Sequence, residues 1–104
     1  MGLFGGASSK QIDEFAKQLA RELAAACPLS KEQPGRPQAT PKQLWSALEA
    51  VCGKALEFRK EHKLGIYKKA RLGNTFRWEL TEMGYDKAFA EDATQRLIVR
   101  IARK

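Results

Sequence analysis

Residues 64–85 read LGIYKKARLGNTFRWELTEMGY, and how this stretch folds decides the architecture of the chain. Taken as one straight helix at about 100° per residue, Ile66, Ala70, Gly73, Phe76, Leu80 and Met83 form an apolar stripe. Lys69 and Arg77 then fall inside that stripe, where an unpaired charge is costly to bury. Dividing the stretch at Leu72-Gly73-Asn74-Thr75 removes the conflict. Phe76, Leu80 and Met83 keep the i, i+4, i+7 spacing of a packed helix face. Gly73 suits the left-handed conformation at a helix end, and Asn74 or Thr75 can cap the next start. The expectation is a third helix over 66–83, kinked or broken near Gly73–Asn74 and ended by Gly84.

Upstream, Thr40-Pro41-Lys42-Gln43 is a start signal, with Thr as N-cap, Pro at the first helical position and Gln three residues after the cap. The helix it opens runs to about Lys63, with Gly65 as terminator. It offers Leu44, Trp45, Leu48, Val51, Cys52, Ala55, Leu56 and Phe58 for burial. Arg59 and His62 leave from the apolar side near its end, where a cation suits the helix dipole. Ahead of it, LSKEQPGRPQA places Pro34 and Pro37 around Gly35, and residues 28–39 read as a Pro-rich loop. Pro28 stops a first helix over 8–27. That helix opens on a capping box of Ser8 with Gln11 and shows a clean stripe of Ile12, Phe15, Ala16, Leu19, Leu23 and Ala26. Asp13 stands in the favourable i, i+4 order ahead of Lys17.

Downstream, Asp86 can cap a final helix over 86–102, with Tyr85 packing back as a hydrophobic staple. Phe89, Ala90, Ala93, Leu97, Ile98 and Ile101 face inward, and Asp92 can pair with Arg96. The run Leu97–Ile101 is also strand-like, but the chain offers it no partner strand. The reading is therefore all-α: a compact, irregular bundle of four principal helices in a single domain over 8–104, behind a flexible tail at 1–7. Its expected core is Phe15, Leu19, Leu23, Leu48, Val51, Phe58, Phe76, Leu80, Phe89 and Leu97.

A chain of 104 residues can bury such a core without metal or disulfide staples. Cys27 and Cys52 would lie roughly 18 Å apart in register on antiparallel neighbours, beyond disulfide reach, so both read as buried thiols. No apolar run approaches the roughly 20 residues of a membrane span. Residues 1–6 resemble neither a signal peptide nor a myristoylation signal, and the expected setting is cytoplasmic with no membrane association.

Catalytic constellations are hard to assemble. His62 is the single histidine, which rules out a two-histidine metal face, and the cysteines lack metal-ligand spacing. The glycines at 2, 5 and 6 have neither the spacing of a phosphate loop nor a preceding strand. Glu79 and Glu82 read as a solvated face. No enzymatic activity, cofactor or metal is expected.

The charge is where the signal lies. Residues 54–77 hold eight basic side chains against two acids, a net +6, whereas the flanking segments nearly cancel and the whole chain carries +7. Lysine and arginine gain affinity for nucleic acid by displacing counterions from phosphates, and exposed aromatics stack on bases. The candidate surface is Arg59, Lys63, Lys68, Lys69, Arg71 and Arg77 with Tyr67 and Trp78. Tyr67, Arg71, Asn74 and Trp78 line one side only if the helix is continuous. Replacing Lys68, Lys69 and Arg71 together is expected to leave stability nearly untouched, as for exposed charges. The helix–glycine–helix pattern at 66–84 fits the DNA-binding helix-turn-helix poorly, with Lys69 and Asn74 where that motif wants a small and an apolar residue. The alternative is a protein-interaction module that binds an acidic partner or self-associates, with Trp45 and Trp78 as anchors.

Overall fold

A computed structural model describes residues 8–102; the flexible tail expected at 1–7 lies outside the described residues. Four helices follow in order: α1 Ser9–Ala26, α2 Pro41–His62, α3 Ile66–Glu82 and α4 Lys87–Ala102. The caps are those the sequence offers. Ser8 and Gln11 close a reciprocal capping box on α1, and Thr40 with Gln43 does the same on α2 behind Pro41. Asp86 Oδ1 accepts from the Phe89 amide at 2.8 Å and starts α4. At the end of α2 it is Lys63, not Gly65, that takes the left-handed turn, with φ 48°.

α1 packs on α2 and α3, and α4 packs on α2 and α3, so the order around the bundle is α1–α3–α4–α2. The helices joined by residues 63–65, α2 and α3, are therefore diagonal. Cross-helix pairs fix the directions. Phe15 stacks on Phe58 at 4.0 Å while Glu22 meets Lys54 at 2.7 Å, so α1 and α2 are antiparallel. Asp13 meets Arg71 and Arg21 meets Glu79, so α1 and α3 run parallel. Arg96 sits over Trp45 and Arg100 meets Glu49, so α2 and α4 are parallel too.

Of the expected core, Leu19, Leu23, Leu48, Val51, Phe76, Leu80, Phe89 and Leu97 are buried, and Phe15 and Phe58 pack partly buried against them. Leu72, Leu64 and Tyr85 join the core as well. The Tyr85 hydroxyl donates to the Cys27 carbonyl at the end of α1, so the staple is also a polar tie between α3–α4 and α1. Cys27 and Cys52 are both buried free thiols, each pushed up in pKa by burial.

Three expectations are corrected. First, α3 is not broken at Gly73: it runs helical from Ile66 to Glu82 without a left-handed residue inside it. The glycine has another purpose. A Cβ built there would stand 2.6 Å from Ile98 Cδ1 and 2.7 Å from Ile98 Cγ1, so the missing side chain is what lets α3 and α4 close on each other. Second, Trp45 is not core: it is 54% exposed at the edge of α2, beneath the Arg96 guanidinium. Third, Asp13 serves α3 rather than Lys17. Its carboxylate accepts from Arg71 Nε at 3.0 Å and Nη2 at 2.9 Å, and from the Thr75 hydroxyl at 2.9 Å.

The Pro-rich loop is tied down. Ser30 N donates to Arg36 O at 2.8 Å, and the Asp86 amide donates to Gly35 O at 2.8 Å. Gly35 has φ 81° and its absent Cβ would fall 2.9 Å from Asp86 Cβ, so the loop rests on the start of α4.

Candidate nucleic-acid interface

The uninterrupted α3 determines which side chains can act together. Eleven residues separate Tyr67 from Trp78, close to three full turns, which puts them within about 20° of one another and roughly 16 Å apart along the axis. The core side of α3 is Leu72, Gly73, Phe76 and Leu80. The Tyr67–Trp78 line is opposite, and both rings are free of the core: Tyr67 is 72% exposed and Trp78 58%. Exposed Asn74 and Ala70 lie between them. The alignment that only a continuous helix allows is thus present.

The cations are distributed less generously. Arg71 lies on the edge of the line, but its guanidinium is taken bidentately by Asp13. That hydrogen bond raises the pKa of Arg71 and holds the Asp13 carboxyl below its ordinary value. Arg59 is turned toward the end of α4, where Nη1 donates to the Ile101 carbonyl at 3.2 Å. Arg77 Nη2 donates to Asn74 Oδ1 at 3.0 Å, a neutral partner that leaves its charge uncompensated. Lys68 and Arg77 fall on opposite flanks of the Tyr67–Trp78 line, while Lys69 turns toward the core side at the end of the bundle. Among the described residues none of Lys63, Lys68, Lys69 and Arg77 makes an ion pair. The eight sequence candidates therefore do not form one surface. Tyr67, Trp78, Lys68 and Arg77 come together on α3; Arg59 and Lys63 are brought together elsewhere, with Lys60.

A second exposed feature surrounds Trp45, which the sequence offers both for burial and as an interaction anchor; the cleft itself was not legible. Trp45, Leu48, Cys52 and Val99 line a cleft of about 280 Å³ between α2 and α4. Its rim is electrically balanced, since Arg96 meets Asp92 at 3.2 Å and Arg100 meets Glu49 at 3.0 Å. The available signal was the position of Trp45 at the margin of the α2 apolar arc, next to Glu49 rather than Leu48. No helix among the described residues is long and apolar enough to cross a membrane. No protein-family model, curated protein or solved structure matches this chain.

Proposed function

We propose that the outward face of α3 binds single-stranded nucleic acid, stacking bases on Tyr67 and Trp78 while Lys68 and Arg77 meet phosphates on either side. The observation that carries this reading is the pair of aromatic rings held in line, away from the core, by a helix that also bears unpaired cations. Two large exposed aromatics contribute little to the fold in that position. Stacking on a base buries them without sequence discrimination, because every base has a π-face. A helix with this face does not suit duplex recognition, where bases are stacked inside and unavailable.

Fluorescence anisotropy with short single-stranded and duplex oligonucleotides in about 50 mM salt tests the proposal. Single strands bind more tightly than duplex, and Trp78→Ala removes most of that binding while the far-UV circular dichroism and melting temperature stay near wild type. Absence of single-strand binding into the tens of micromolar range sinks the reading. A protein partner then takes its place, and the observation favouring one is the neutral, apolar Trp45 cleft on the other side of α4.

A further inference from the structure

At the junction of α2 with the 63–65 turn, Arg59, Lys60, Lys63 and Leu64 line a solvent-open cleft of about 220 Å³. Three of its four lining side chains are cations and none is acidic. Glu57 and Glu61 belong to the same turns of α2, yet neither comes within salt-bridge distance of these cations. One Nη of Arg59 donates to the Ile101 carbonyl, which holds the guanidinium at the end of α4.

The helix dipole accounts for part of this arrangement, because Arg59, Lys60 and His62 fall in the last turn of α2, where cations are favoured. A dipole is satisfied, however, by an exposed and hydrated cation. It does not call for three cations around one recess with no acid among them. Three cations lining one recess suit a multivalent anion with several acceptor oxygens. Arginine supplies a planar fork and the lysines supply mobile point charges, which is the donor set that a phosphoryl group takes.

We propose that this cleft binds a phosphate group through Arg59, Lys60 and Lys63. It is separate from the outward face of α3 and does not rest on the nucleic-acid reading. The same chemistry could be presented by free inorganic phosphate or by the phosphorylated end of a strand.

The experiment titrates the full chain with inorganic phosphate against chloride at matched ionic strength, following melting temperature and amide chemical shifts. Phosphate raises the melting temperature saturably and moves the resonances of residues 59–65; the reference salt does neither. Lys60→Gln combined with Lys63→Asn weakens this binding about tenfold or more. Both side chains are exposed, and asparagine tolerates the left-handed backbone at position 63. Lys87→Gln, at the far end of the bundle, leaves binding unchanged. Phosphate indistinguishable from chloride, or equal binding by the double variant, overturns the proposal. The source is read in the Trp78→Ala protein, which retains phosphate binding. If strand ends are the occupant, a 5′-phosphorylated oligonucleotide binds this protein more tightly than its unphosphorylated twin. If free phosphate is the occupant, the twins are equal and inorganic phosphate alone binds. Either result supports the cleft when the Lys60/Lys63 variant abolishes it, and failure of both arms removes it. Loss of oligonucleotide binding by wild type with phosphate binding intact would count against the α3 face only.

Discussion

Asp13 shows what a single residue contributes that no local rule announces. Four residues ahead of Lys17 on the same helix face it reads as half of a surface pair, yet it is the acceptor for Arg71 and Thr75, both on another helix. Helical periodicity describes neighbours on one element and carries no information about a partner 58 positions away, so this contact was not legible. It also changes what the basic block can be tested with. Neutralising Lys68, Lys69 and Arg71 together strands the Asp13 carboxylate, so that triple change is destabilising rather than silent, and the lysines must be replaced with Arg71 kept. Asp13 leaves a pH signature as well. The Arg71 hydrogen bond lowers its folded pKa below the ordinary 3.8. A depressed carboxylate contributes stability that is full above the unfolded pKa and lost as pH falls through the folded one. Asp13→Asn is therefore less stable than wild type at neutral pH. The gap narrows as pH falls below 3.8 toward the depressed folded pKa, because the protonated acid resembles the amide it was exchanged for. Urea titrations at about pH 7 and about pH 2.5 measure that narrowing; a gap of constant size across that range would count against a contribution of the carboxylate charge to folding.

At the scale of the element, α1, α2 and α4 were legible because each is announced twice, by an apolar stripe and by a cap. Ser8 with Gln11, Thr40 with Gln43, and Asp86 all cap as their spacing indicates. The error fell on α3, where Gly73 and Asn74 carry the residue types of a helix end. A glycine satisfies either a left-handed turn or a close approach, and the sequence does not say which. Here the neighbour decides: Ile98 fills the space a Cβ would take. Gly73→Ala then sets two effects against each other. Alanine favours a helix interior over glycine by about 1 kcal/mol, while overpacking a close contact costs about 1–3 kcal/mol. Ile98 is β-branched and restricted at χ1 on a helix, so it does not simply swing aside. The single change is expected to destabilise by about 1 kcal/mol. In an Ile98→Ala background the obstacle is gone, and the same Gly73→Ala change should stabilise by up to about 1 kcal/mol. A double-mutant cycle by chemical denaturation reads that reversal of sign, and matching signs in the two backgrounds would refute close packing as the reason for the glycine.

For the whole molecule, the sequence supplied four amphipathic helices but not their order, because an apolar stripe does not name the stripe it meets. The ring α1–α3–α4–α2 is what distributes the basic block. With α2 and α3 on a diagonal, a run of charge continuous along the chain is divided between two corners of the bundle. Arg71 is then neutralised by α1 and Arg59 is occupied at the end of α4. The consequence is quantitative. Counterion release from a single strand contributes about 0.7 log units of affinity per contacted phosphate for each log unit of salt. All six candidate cations on one surface give a slope of about −4. Lys68 and Arg77 alone, flanking Tyr67 and Trp78, give about −1.4, with the rest of the affinity in stacking that salt does not screen. Anisotropy titrations of a short single strand between about 50 and 200 mM salt separate these slopes readily. Lys68→Gln should reduce the shallow slope by about half, whereas Trp78→Ala should lower affinity at every salt concentration without altering it. A slope near −4 would mean that the strand follows charges from both corners of the bundle, and the aromatic line on α3 would lose its place as the principal contact.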